Sequence, residues 1–238
     1  MSGHSKWNNI KRRKEATDGA KAKIFTKIGR EMAVAVKEGG PDPSANFKLA
    51  SVIAKAKANN VPNDNIERII KKASGEDGGA SFENITYEGY GPGGVAVIIE
   101  TLTDNKNRAA ADVRHALDKN GGNLGAPGCV GFLFQQKGVL LLEGNVDFDT
   151  LMEDAIEVGA EDIEETDGDV LVYTSPADFD GVLKALGEKY KFSQAEVAML
   201  PVTKIALSDP EHLKKMERLQ DMLDDNDDVQ NYWTNWDE

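Results

Sequence analysis

One cysteine, Cys129, in 238 residues leaves no partner for an internal disulfide and no second thiolate for a zinc or iron–sulfur site. That usage fits a reducing compartment, and a cytoplasmic location is expected. The histidines number three, His4, His115 and His212, and none has a Cys, Asp or Glu partner at a recognised metal spacing. Neither a metal nor a cofactor is expected. Long apolar runs are also lacking: the longest mainly apolar stretch, Val95 to Ile99, falls far short of the roughly 20 residues of a membrane helix. The basic N-terminus has no apolar segment behind it, so no secretory signal is read there. With 40% hydrophobic and 29% charged residues, the chain has the composition of a soluble globular protein of two or three domains.

The formal net charge of −13 conceals a split. Residues 1–75 carry 16 Lys+Arg against 7 Asp+Glu, and residues 76–238 carry 12 against 34. Fields add locally, so one module is expected to seek phosphate while the other repels it.

Helical spacing dominates the basic third. Between Ala20 and Lys37, Phe25, Ile28, Met32 and Val36 recur on one face, with Lys23, Lys27, Arg30 and Lys37 about half a turn away. Val34 falls on the cationic side and breaks the pattern. Asp42-Pro43 is expected to start a second helix with Phe47, Ala50 and Ile53 inward, and Asn63 to cap a third with an Ile66, Ile69, Ile70, Ala73 stripe. A glycine-rich acidic stretch, Gly75 to Ser81, has linker composition and puts a boundary near Gly79. Beyond it, strand and helix patterns alternate. Gly94–Leu102 reads as a strand, the segment after Thr103-Asp104 as a helix buried through Ala109, Val113, Ala116 and Leu117, and Cys129–Phe134 as a second strand. Further on, Asp167-Gly168 signals a tight hairpin and Ser208-Asp209-Pro210 opens a late helix. This order predicts an α+β chain: a helical bundle, then two small α/β domains of split β-α-β type.

Catalytic motifs fail on context. Gly89-Tyr90-Gly91-Pro92-Gly93-Gly94 fits G-x-G-x-x-G, but a β-branched strand follows where a dinucleotide site needs a helix. No G-x-S-x-G or cysteine-nucleophile signature is present, and Cys129 reads as a small buried residue at a strand start. The run Asp224-Asp225-Asn226-Asp227-Asp228 lacks the glycine and closing glutamate of a calcium loop. No catalytic residue is assigned, and no enzyme is expected.

The N-terminus carries chemistry of another kind. Lys6, Lys11, Arg12, Arg13 and Lys14 surround Trp7, joining cations for phosphates to an aromatic plane that stacks on a base or anchors the tail by packing. With Lys23, Lys27, Arg30 and Lys37 they form the candidate nucleic-acid surface. Lys106, Arg108 and Arg114 either extend it as further phosphate contacts or pair with nearby carboxylates.

Four segments, Gly3-His4-Ser5-Lys6-Trp7-Asn8-Asn9-Ile10-Lys11, Lys23-Ile24-Phe25-Thr26-Lys27, the stretch from Tyr87 to Val95, and Thr103-Asp104-Asn105-Lys106-Asn107-Arg108, together resemble the YebC family, and the likeness spans essentially the whole chain. Gly121 to Gly125 and Gly131-Phe132 match as well. The resemblance implies three domains: a basic helical bundle over residues 1–79, a middle domain of ferredoxin-like type over 80–136 and 200–238, and an acidic one inserted over 137–199. It also implies a non-enzymatic regulator of gene expression. Family members are described as DNA-binding transcriptional regulators or as ribosome-associated factors that help translate proline-rich stretches. The lysine-rich stripe favours phosphate contact over base reading, which leans toward structured RNA; the family name leans toward transcription. A protein-interaction scaffold with an incidental basic tail is the third reading. The oligomeric state is not legible.

Overall fold

The computed structural model describes residues 18–75, 81–144, 146–166 and 168–237, with side chains from Lys23 onward. Three helices come first, α1 (Asp18–Gly39), α2 (Phe47–Ala58) and α3 (Asn63–Ala73). Then follow β1 (Glu83–Tyr90), β2 (Ala96–Thr103), α4 (Lys106–Lys119), β3 (Asn123–Leu124), β4 (Phe134–Leu142), α5 (Phe148–Glu157), β5 (Asp162–Thr166) and β6 (Asp169–Thr174). The chain closes with α6 (Phe179–Leu186), β7 (Gln194–Pro201), β8 (Ile205–Ala206), α7 (Pro210–Asp225), β9 (Val229–Thr234) and β10 (Trp236–Asp237). The described residues form two compact units, one of residues 18–130 and 207–232, the other of residues 131–206 and 233–237.

In the first unit the helical spacing of α1 places Ile28, Met32 and Val36 in a core shared with Leu49, Val52, Ala56 and Ile66. Met32 and Leu49 are wholly buried, each contributing about 2 kcal/mol of apolar burial. The second helix starts later than Asp42-Pro43 predicts. The Asp42 carboxylate accepts from the Ser44 N–H and hydroxyl, at 2.9 and 2.7 Å, which closes a turn over Pro43. Asn46 is the cap instead: its Oδ1 accepts the Leu49 N–H, and its Nδ2 donates to the carbonyls of Ala35 and Gly40. This start sets Leu49, Val52 and Ala56 inward and leaves Phe47, expected inside, 89% exposed. In α3, Ile66 and Ala73 are buried, with Ile69 and Ile70 packed beside them.

The first unit also holds a sheet of order β3-β1-β2-β9. β1 and β2 pair antiparallel from Glu83↔Thr103 to Tyr90↔Ala96, and β3 is antiparallel to β1. β2 and β3 are therefore parallel with β1 between them, a split β-α-β joined by α4. Asn105 caps α4 through the Arg108 N–H, and Ala109, Val113, Ala116 and Leu117 are its buried face, as the spacing predicts. The glycine motif is a strand-to-strand turn: the Gly91 N–H donates to the Val95 carbonyl at 2.7 Å, and Gly93 has φ 66. Gly122 permits the approach of β3, because a Cβ there would lie 2.1 Å from the Tyr90 carbonyl oxygen.

Cys129–Phe134 is not a strand up to its last residue. Gly128 has φ 85, the Glu88 carboxylate accepts from the N–H groups of Gly128 and Val130 at 2.8 Å, and β4 begins only at Phe134. Those donors serve a side chain, so they are not offered to a ladder. Cys129 is half-buried in this loop; burial first, and then the Glu88 charge, push its thiol pKa up, away from thiolate chemistry.

The second unit is a β-α-β-β-α-β arrangement with strand order β5-β6-β4-β7 and antiparallel neighbours throughout, the ferredoxin-like order. Leu140, Leu142, Val170 and Val172 of the sheet bury Leu151, Ala155, Val182 and Leu186 of α5 and α6. Thr166 faces Asp169 across the hairpin, and Gly168 has φ 84.

Two glycine substitutions should move stability in opposite directions. Gly122→Ala forces β3 off the Tyr90 carbonyl and should cost about 1–3 kcal/mol, as overpacking does. Gly181→Ala, in α6 with nothing within 4 Å of a new Cβ, should gain about 0.5–1 kcal/mol. Urea unfolding of both variants measures the difference.

Candidate nucleic-acid interface

Lys6, Trp7, Lys11, Arg12, Arg13 and Lys14 lie outside the described residues. The rest of the candidate surface divides sharply. Of the four candidate cations on α1, three turn onto acidic residues of their own chain, at the C-terminal end of α7 and the start of β9.

The contact begins with a helix that ends in the wrong charge. Asp221, Asp224 and Asp225 occupy the last turns of α7, where unpaired carbonyls already make the terminus negative and no basic residue is present. α1 supplies the cations. The Lys23 ammonium pairs with the Asp225 carboxylate and donates to its carbonyl at 3.2 Å. One turn on, Lys27 Nζ reaches the Asp224 carbonyl at 3.4 Å.

Arg30 goes deeper. Its guanidinium pairs with the Asp228 carboxylate and donates to the carbonyls of Leu102 (3.1 Å) and Asp227 (2.8 Å), with the Phe82 ring 5.4 Å away. Asp228 is 3% exposed. It also receives Arg108 through Nε and Nη2 at 2.9–3.0 Å and the Thr103 hydroxyl at 3.0 Å. Arg108 reaches Asp104 as well, at 2.7 Å; this hydrogen bond holds the Asp104 carboxyl below the usual carboxylate range and raises the guanidinium pKa. One buried carboxylate thus joins α1, the end of β2, the start of α4 and the start of β9. Val34, the apolar exception on the cationic face, is buried but stands outside the bundle core cluster.

The reading of Arg108 and Lys106 as phosphate contacts gives way to its alternative: Arg108 serves Asp228 and Asp104, and Lys106 Nζ lies 2.6 Å from Glu83. Arg114 is exposed on α4, and Lys37 is exposed in the last turn of α1. The residues missed from sequence are the partners, Asp224, Asp225 and Asp228. An acidic helix C-terminus and one valine on a cationic face were their signals. The bundle also presents Lys57, Arg68, Lys71 and Lys72, all exposed and without a carboxylate partner among the described residues. No group of three or more His, Cys, Asp or Glu is placed to hold a metal among the described residues, and no helix there is long and apolar enough to cross a membrane.

A basic three-helix module fastened by ion pairs to an α/β sheet, together with a ferredoxin-like α/β unit, defines the class. Residues 5–76 match the TACO1/YebC N-terminal domain and residues 82–236 the second and third domains of the same family. The chain belongs to the TACO1/YebC family. It is 55% identical over 99% of both chains to a "Probable transcriptional regulatory protein" of Acetivibrio thermocellus. A protein of the same description from Ruminiclostridium cellulolyticum is 57% identical over 94% of this chain and 92% of its own. The crystal structure of a conserved hypothetical protein from Aquifex aeolicus superposes with a TM-score of 0.82 at 41% identity, over 92% of this chain and 91% of that one.

Asp228→Asn keeps the shape and removes the charge that two guanidinium groups share, so it should destabilise by about 3 kcal/mol. Lys23→Ala, at the exposed rim, should cost under about 1 kcal/mol. Denaturant midpoints of both variants test that ranking.

Proposed function

We propose that this protein is a non-enzymatic regulator of gene expression that binds nucleic acid through its N-terminal module. The supporting observation is the distribution of cations once the internal pairs are set aside. Lys57, Arg68, Lys71 and Lys72 face outward without carboxylate partners among the described residues, and the basic residues 6–14 precede them in sequence. Transcriptional control is the first reading, since it follows the descriptions of relatives aligned over nearly the full chain, and DNA is the phosphate partner that reading calls for.

Translation-linked RNA binding is favoured by a separate observation. The outward cations of the bundle are mostly lysines, which neutralise phosphate without reading base edges. Residues 131–206 carry 5 Lys against 16 Asp+Glu, a module that a long duplex repels. A chain with one phosphate-seeking module and one acidic module suits docking on a ribonucleoprotein, whose basic proteins the acidic module meets.

Sedimentation of the native protein in gently lysed extract separates these readings. Comigration with ribosomes that survives DNase supports translation; DNase-sensitive retention of a reproducible set of DNA fragments supports transcription. In either case neutralising Lys11, Arg12, Arg13 and Lys14 should abolish the association, and its persistence would instead favour a protein-interaction scaffold. Replacing Lys57, Lys71 and Lys72 with Ala should weaken binding to any one oligonucleotide and lower the salt slope by about 0.7–0.9 for each phosphate left without its cation.

A further inference from the structure

We propose that the face of α1 carrying Lys23 and Lys27 is a masked polyanion site, covered in this state by the acidic tract Asp224–Asp228 acting as an internal substitute for phosphate. The inference deepens the nucleic-acid reading and rests on it.

The contact is graded along α1. At Arg30 it is built to stay: the guanidinium side chain is 17% exposed, Asp228 is held by Arg108 and Thr103 besides, and two backbone carbonyls complete the set. Toward the N-terminus of α1 the contact loosens. The Lys23 side chain is 35% exposed and that of Asp225 is 75% exposed, and one of the contacts of Lys27 is to the Asp224 backbone carbonyl. The groups that Lys23 and Lys27 meet, a carboxylate and helix C-terminal carbonyls, present spaced negative oxygens as a phosphate backbone does. Arg30 therefore serves as a pivot, and the two lysines are the part a competing polyanion displaces.

The test is a coupling experiment on the full chain. Asp224→Asn, Asp225→Asn and Asp227→Asn together leave Asp228 and the pivot in place, and an unchanged circular-dichroism melt confirms the fold. Binding is measured for a 20-base-pair duplex DNA, an RNA hairpin and heparin, in the parent and acid-neutralised proteins, each with and without Lys23→Ala plus Lys27→Ala. The expected result is a rise in affinity of about fivefold or more on acid neutralisation, with the salt slope steeper by about 1–2 as two more phosphates are neutralised. The lysine changes should be nearly silent in the parent and should erase the gain in the neutralised protein. An equal effect of the lysine changes in both backgrounds, or no gain on neutralisation, overturns the masked site. Binding of neither nucleic acid by any of the proteins overturns the nucleic-acid reading; a heparin gain with the same lysine coupling would in that case still uphold the masked polyanion face.

Discussion

A single buried carboxylate, Asp228, organises the junction on which the first unit depends. Two guanidiniums, Arg30 from the bundle and Arg108 from α4, converge on it with the Thr103 hydroxyl. Removing the charge of Asp228 leaves the largely buried Arg30 guanidinium without its carboxylate, which is far costlier than losing an exposed pair. The helical module and the β3-β1-β2-β9 sheet therefore have an ionic tie, one that fixes a geometry more than it adds net stability.

That tie changes what the charge distribution means. Read along the chain, a basic third and an acidic remainder suggest two independent fields. In the fold, part of each neutralises the other: Lys23, Lys27 and Arg30 face an acidic helix end whose own sequence provides no cation. What faces outward from the bundle includes Lys37 at the end of α1 and the cations Lys57, Arg68, Lys71 and Lys72 on α2 and α3.

Much of the architecture was legible beforehand because burial enforces periodicity. The Ile28, Met32, Val36 stripe, the Ala109 to Leu117 face and the hairpin turn at Gly168 all follow local rules that tertiary structure respects. Two expectations failed where a side chain took over a backbone group. Asn46 moved the start of α2 and turned Phe47 outward, and Glu88 drew the amides after Pro127 out of any ladder. The cationic stripe is a different case. Periodicity identifies an amphipathic face but is blind to whether a charged face meets solvent, phosphate or a carboxylate about 200 residues away, and Val34 was the one local sign that this face packs.

The coupling between Arg30 and Asp228 is the most direct point of test. A double-mutant cycle with Arg30→Met, Asp228→Asn and the pair, read by urea unfolding, isolates their pairwise energy. The structure predicts a coupling of about 2 kcal/mol or more, with the double variant less destabilised than the two single effects added together. A coupling below about 0.5 kcal/mol would mean that bundle and sheet are not held by this carboxylate, and would contradict the internal assignment of the α1 stripe.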